Sequence, residues 1–552
     1  MARTADLARE TVSSIQLEPA ENGSAMAQED GDNNTQKKKK PLAFWLAFSG
    51  LSIIAFLFAL DATTLAVAVP SIAEQLHGTT LEAFWASIVY VLGVVVTQPI
   101  YTGVSDVFGR KPPLYFAFLL FTAGSLVFAL AQTMASVIVG RVLQGLAGGG
   151  LDLLSEIIVA DITTLQERSL FLGLLALPLS VGSILGPTLG AVFSSLVSWR
   201  WIGWINLPLL GVSFTLILFF LRLQPIDTSF GSKIKQLDWA GMLLSLVGTT
   251  VFVLPLSWAG PLYPWRSWQT ILPLLIGAAV LVAFALYESR SENPIFPPRL
   301  LKSRTARLTL VGNFMHGALL YSILQYAPMF YQAVGLETVI GSAVTLLPTS
   351  ISSVVFAASG VIIVGVVGKG YCWTIRSFWV IMTVGTGLLA LLDQQSSQAM
   401  RMGIPVLWGA GVGALMRLLH LPMQASVPTV DDTAAAIGLL LSIRLMGGLV
   451  GLAVGSTIFG NVFASSIATV GDLPGQLAVL RDANEAVAFI PMLRVVDAPP
   501  EILDSVLGAY LTATRAIFYA MTAFSGVGFL TSVFMQEHTL QKTELGRQRF
   551  QE

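Results

Sequence analysis

Residues 102–112 read Thr102-Gly103-Val104-Ser105-Asp106-Val107-Phe108-Gly109-Arg110-Lys111-Pro112, and they separate two apolar runs, 83–102 and 113–131. A helix needs about 20 apolar residues to cross the hydrocarbon core of a bilayer, and each run approaches that length. So short a polar break between them predicts a membrane hairpin. Gly109 frees the backbone to reverse, and Asp106 with Arg110 can lock the turn by a charge-assisted bond. The composition agrees: of 552 residues, 54% are hydrophobic and only 11% charged, where soluble proteins carry about a quarter charged. A soluble chain of this length would divide into several domains with polar surfaces, and the charge to build them is missing. An ordinary soluble enzyme, a nucleic-acid binder and a disordered scaffold are excluded. The chain reads as a polytopic membrane protein.

Working outward, the same alternation of apolar run and polar break continues. Spans are expected near 43–69, 83–102, 113–131, 135–159, 169–193, 204–222, 238–258, 270–288, 307–331, 340–367, 372–392, 402–424, 436–463 and 510–535. These make fourteen helices, an all-α membrane protein with both termini on one side. Twenty-two of the 31 Lys and Arg fall in the tails and in the breaks after even-numbered spans, which predicts that face to be cytoplasmic. Arg141, Arg417 and Arg444 stay inside or at the edges of spans. The polar tail 1–40, ending in Lys37 to Lys40, is expected to be disordered and cytoplasmic, and lacks the apolar core of a cleavable signal. The segment 465–509 is expected as an extracellular loop with room for a short helix, and 537–552 as a cytoplasmic tail. One cysteine, Cys372, and four scattered histidines give no metal or redox spacing.

Charges at bilayer depth are the functional candidates. An Asp there costs roughly 2.5–3.5 kcal/mol on insertion scales. Asp61, two-thirds of the way through span 1, is therefore expected to carry a proton or line a cavity, with a structural hydrogen bond as the alternative. On span 4, Arg141, Gly145, Gly148 and Asp152 share one helix face, and Glu156 extends it. Glu156 and Asp161 are expected to brace the Arg110-Lys111 turn from the neighbouring helix. In span 5, Gly173, Gly182, Gly186, Pro187 and Gly190 predict a thin, kinked helix, suited to a hinge or sliding surface between two bundles or to tight packing alone. Gly447, Gly451 and Gly455 in span 13 have the four-residue spacing of a packing ribbon. Asn313, His316 and Gln325 in span 9 are candidate substrate contacts, although polar and aromatic groups there also suit packing.

Several of these strings resemble the major facilitator superfamily. Asp106-Val107-Phe108-Gly109-Arg110-Lys111 is similar to its signature between helices 2 and 3, with Thr102 where the family has Gly. Arg141-Val142-Leu143-Gln144-Gly145 resembles its Arg-x-x-Gln-Gly signature. Leu60-Asp61-Ala62-Thr63 through Pro70 looks like the first-helix signature of fourteen-helix drug:proton antiporters, with Ala66 where Asn is common. Gly173, Gly182, Gly186-Pro187 and Gly190-Ala191 match the antiporter signature except for the final Ala. Trp199-Arg200-Trp201 and Ile205-Asn206-Leu207-Pro208 repeat a string of the same subgroup.

The resemblance implies a six-helix half (41–223), an inserted helix pair with a connector (224–306) and a second six-helix half (307–536). It implies a proton-coupled exporter of hydrophobic or amphipathic small molecules, of the kind that fungi use for drugs and secondary metabolites. Asp61, Arg141, Gln144 and Asp152 would serve proton coupling and the cavity. Asp106, Gly109, Arg110, Lys111, Glu156 and Asp161 would form a cytoplasmic lock. The implied partners are substrate, protons and the lipid bilayer, with no cofactor and no nucleic acid, in a monomer of the plasma membrane or of a vacuolar or vesicle membrane. The same fold admits a proton-coupled importer of a nutrient or siderophore. A membrane sensor is a further alternative. No Walker-A string or clustered catalytic group points to an ATP-driven pump or an enzyme.

Overall fold

Inside hydrocarbon no water can satisfy a backbone N–H or C=O, so each apolar run closes its own hydrogen bonds as an α-helix. The computed structural model describes residues 40–78, 80–224, 230–259, 263–367, 370–539 and 550. Fourteen long helices run through them. The first eight are α1 (Leu42–Gln75), α2 (Thr80–Phe108), α3 (Lys111–Ala129), α4 (Met134–Ile162), α5 (Leu165–Val192), α6 (Asn206–Phe220), α7 (Trp239–Trp258) and α8 (Trp268–Glu288). The other six are α9 (Arg304–Ala333), α10 (Val339–Val367), α11 (Tyr371–Leu389), α12 (Gln398–Leu418), α13 (Thr433–Ile467) and α14 (Pro500–Val533). A short turn, Trp201–Trp204, leads into α6, and a short helix, His420–Ala425, follows α12. No strand occurs among the described residues, only two isolated bridges.

Thirteen segments among the described residues are long and apolar enough to cross a membrane. The exception is α9, whose hydropathy is lowered by Arg304, Arg307, Asn313, His316, Gln325 and three tyrosines. The expected tails fall almost wholly outside the described residues, as do Gly368 and Lys369 of the turn after α10.

The first six and the last six helices pack in the same order. In the first set α1 lies on α5 and α6, while α2 and α3 lie on α4; in the last set α9 lies on α13 and α14, while α10 and α11 lie on α12. Equivalent crossings use equivalent glycines. Gly145 of α4 beds on the Tyr90 backbone of α2, and Gly413 of α12 beds on the Ser353 backbone of α10. With lipid on the outside no hydrophobic force drives helices together, so close backbone approach at small residues does that work. The two sets meet along two seams, α5 against α10 and α2 against α13. The pair α7–α8 is inserted between them in sequence but attached laterally in space. It is α7 that touches α2 and α13, while α8 packs on α7 and leaves most of its surface facing outward.

Two expectations are corrected. The helices flanking the expected loop 465–509 run longer than the apolar runs 436–463 and 510–535, reaching Ile467 and starting at Pro500. Between them the chain forms a packed cap of short turns. Leu477, Leu480, Phe489, Ile490 and Leu493 are buried in it. Tyr510 donates from its hydroxyl to the Ala486 carbonyl at 2.6 Å, and Arg494 donates to the Glu337 carbonyl at 2.8 Å. Its apolar residues recur every three or four positions between the charges, which gives the segment a face to bury.

Arg110, Lys111, Arg168 and Arg299 gather at the opposite end of the bundle from this cap, at the turns that follow even-numbered helices. We call it the basic end.

Gly145→Leu and Gly413→Leu should each wreck packing, because a side chain there meets backbone, and overpacking costs about 1–3 kcal/mol or more per site. Gly508, with open space around it, should accept Leu. Size-exclusion profiles of fluorescently tagged protein in detergent would check this, with loss of the monodisperse peak expected only for the first two.

Candidate functional site: two buried charge clusters

The first cluster lies wholly inside the first six helices. Asp61 of α1 and Arg141 of α4 have side chains no more than 1% exposed, and Arg141 Nη1 donates to Asp61 Oδ2 at 2.5 Å. Arg141 Nη2 also donates to the Asp61 carbonyl at 3.3 Å. Asn206 at the start of α6 donates from Nδ2 to Asp61 Oδ1 at 2.8 Å, and Gln144 Nε2 donates to the same oxygen at 3.3 Å. Gln144 Oε1 accepts from Arg141 Nη1 at 3.0 Å, and Ser125 Oγ of α3 accepts from both Gln144 and Asn206. The Tyr90 ring of α2 lies 4.3 Å from the guanidinium carbon. Five helices thus contribute to the cluster, and three of them, α1, α4 and α6, meet at the carboxylate itself. In the sequence Asp61 and Arg141 stand as separate intramembrane charges. They are partners, and the desolvation that each alone would suffer is offset by the other.

The second cluster lies toward the basic end. Arg110 donates from Nε to Asp161 Oδ2 at 2.9 Å and from Nη1 to Asp106 Oδ1 at 2.6 Å and Ser105 Oγ at 2.9 Å. Burial works against its charge, but the Asp161 and Asp106 carboxylates outweigh that and hold its pKa above the usual arginine value. Gly109, at φ 92°, takes the left-handed conformation that lets the chain turn between α2 and α3. Lys111 opens α3 half-buried. Glu156 does not brace this turn. It points across the seam to Arg417 of α12, whose Nη1 donates to Glu156 Oε1 at 2.8 Å. One helical turn closer to the middle of α4, Asp152 accepts from Gln98 Nε2 at 3.1 Å. Arg168 of α5 donates to Gln424 Oε1 at 3.3 Å, and Arg299 makes two bonds to Asp432, at 2.8 and 2.6 Å.

The remaining candidates divide. Gly182, Gly186 and Gly190 face α1 within their own half, on Phe56, Leu60, Thr63 and Thr64, and Gly173 is buried too. The glycine face of α5 is therefore not the surface that meets the other half. The helix continues unbroken through Pro178 and Pro187 into a π turn at Phe193–Val197. Asn313 donates to the Leu440 carbonyl of α13, and His316 Nε2 bonds the Val412 carbonyl of α12 at 2.9 Å, so both tie helices together within the last six. Gln325 is exposed. Gly447 and Gly451 bed on Phe314 and Ala318 of α9 as the packing ribbon expected of them. The structure adds Asn206, Tyr90, Arg417, His420 and Arg444 to these clusters; of them, Arg417 and Arg444 carry a signal in the sequence as charges within spans. No group of His, Cys, Asp or Glu among the described residues suits a metal ion.

Two six-helix sets facing each other, with charges buried in one set and across the seam, define a membrane transporter of small solutes. The Major Facilitator Superfamily model matches residues 51–456, and the chain belongs to that superfamily. It is 55% identical over 530 residues to the MFS-type transporter sphD of Aspergillus fumigatus, covering 95% of this chain and 91% of that one. It is 32% identical to the efflux pump FUS6 of Gibberella fujikuroi, covering 93% of each chain. Among solved structures the human organic anion transporter MFSD10 (TETRAN) shares the fold, with a TM-score of 0.55 at 14% identity over 90% of this chain and all of that one. The superfamily comprises transporters, not enzymes.

Removing one member of a buried ion pair costs about 3–5 kcal/mol, because the other is stranded. Asp61→Asn and Arg141→Gln should therefore each lower the unfolding temperature in detergent, and the double variant should lower it by less than the two losses together. A thermal-shift double-mutant cycle reads this coupling directly.

Proposed function

We propose that this chain exports hydrophobic or amphipathic small molecules, of the secondary-metabolite or toxin class, from the cytosol in exchange for protons. It works as a monomer, with its basic end in the cytosol and the plasma membrane as its site. The observation that carries this reading is the Asp61–Arg141 pair, a titratable carboxylate held at bilayer depth by partners from several helices. Intramembrane ionisable residues mark ion and proton pathways. Likeness to relatives that are efflux pumps supports the export direction.

In this account the two halves rock about a site between them and expose it to each side in turn. The proton returning to the cytosol supplies the driving force. One charge moving through 100 mV supplies about 2.3 kcal/mol, enough for roughly a fifty-fold gradient of a neutral substrate. Asp61 loads and unloads the proton, while Arg141, Gln144 and Asn206 hold it in position. Asp152, bonded to Gln98 near the seam, would sense the cavity. The Asp106–Arg110–Asp161 network would hold the turn between α2 and α3 rigid while the basic end opens and closes.

Expression in a yeast host should lower the intracellular retention of a panel of toxic hydrophobic compounds for at least one member. A protonophore should erase the difference, and Asp61→Asn protein that reaches the membrane should fail to restore it. Proton-dependent accumulation in the expressing cells would reverse the direction to import. Export that survives the protonophore would remove the proton from the account.

A further inference from the structure

The seam between the halves buries polar atoms that the Asp61 cluster does not use. Glu156 and Arg417 have side chains no more than 3% exposed, and their bond runs through Oε1 alone. The other carboxylate oxygen, Oε2, has no hydrogen-bond partner. Neither ring nitrogen of His420 has one, and Nδ1 lies 3.8 Å from that oxygen. Buried polar groups are nearly always paired. A carboxylate oxygen and an imidazole nitrogen left facing each other are completed by one proton. With the ring hydrogen on Nε2, Nδ1 presents a lone pair, and a proton on Oε2 makes an O–H that can donate to it once the two close in from 3.8 Å.

The surroundings set the consequence. Asp152 on α4, Arg417 on α12, Arg444 on α13 and His316 on α9 all act electrostatically on this pair of groups. Gln98 faces it from α2 through Asp152, and Arg168 faces it from α5 through Gln424. Asp152 and Glu156 balance Arg417 and Arg444 while the carboxyl is ionised. One added proton leaves a buried cation in excess.

We propose that Glu156 and His420 form a second proton-binding site, separate from Asp61, whose occupation opens the basic end. This rests on the proton-coupled reading above. The proton comes from water and bonds to Glu156 Oε2; no other bond is made or broken. Arg417 then loses the charge of its counter-ion across the seam. Glu156 belongs to one half, Arg417 and His420 to the other, so separating the halves is what returns Arg417 to water. Loss of the proton restores the pair and closes the seam. Under an inward proton gradient the site loads while the basic end is shut and unloads into the cytosol when it opens, which is the order an exchanger requires.

The test needs no substrate. On a Cys372→Ser background, Ala434→Cys places a thiol in the buried start of α13, packed into the first half. Its labelling by an impermeant maleimide from the basic end is normalised to Lys302→Cys, an exposed position on the same side. The normalised rate should rise as pH falls, by up to about tenfold per unit for a one-proton switch. Glu156→Gln should label fast at every pH. His420→Leu, which keeps the ion pair but removes the acceptor, should move the rise to lower pH, and it serves if Glu156→Gln does not fold. A pH-dependence unchanged in the variants, or absent in the parent, overturns the proposal. Gradient-driven export measured beside it separates the two claims. Export with flat labelling sinks this site alone, while pH-dependent labelling without proton-driven export sinks the coupling reading and leaves the site.

Discussion

A charge in hydrocarbon survives only where an opposite charge or a full set of hydrogen bonds meets it. Much of this structure follows from that constraint. Asp61 and Arg141 are tolerated because they find each other, and Asn206, Gln144 and Ser125 add further hydrogen bonds around them. The partners come from different helices, so the pair also fixes how α1, α3, α4 and α6 cross. Glycine does the rest, since it lets backbones approach closely enough for short polar side chains to reach one another.

The same constraint acts differently at the seam. Within the first half the charges are closed off by many bonds, whereas Glu156 and Arg417 share a single one across a boundary between two bodies. A densely bonded network resists change, and a sparsely bonded pair can be switched by one proton. The first arrangement suits a carboxylate that must be held in place while it exchanges a proton. The second suits a contact that must form and break. The Arg110 turn and the Arg299–Asp432 pair stand on the same end and brace the connections around it.

Much of the architecture was legible in the residues because hydropathy and length decide a membrane helix almost alone. The fourteen runs, the turn at Gly109 and the ribbon of Gly447 and Gly451 all follow from local rules. Pairing at long range shows only in the folded structure. Nothing in the sequence says that Glu156 meets Arg417, 261 positions away, in place of the nearby Arg110. Nor does spacing show that Gly182, Gly186 and Gly190 turn toward α1. The cap at 468–499 escaped for a related reason. Its charges read as a solvated loop, and its buried face appears only when the bundle beneath it is in place.

The central claim is that the halves alternate, one end opening as the other shuts, under control of protons. Hydrogen–deuterium exchange on the detergent-solubilised protein at high and low pH, corrected for intrinsic exchange rates, tests it most directly. The account predicts that acidification raises exchange at the basic-end turns of α4, α5, α12 and α13 and lowers it at their opposite ends. Exchange that rises or falls together at both ends, or that ignores pH, would contradict it.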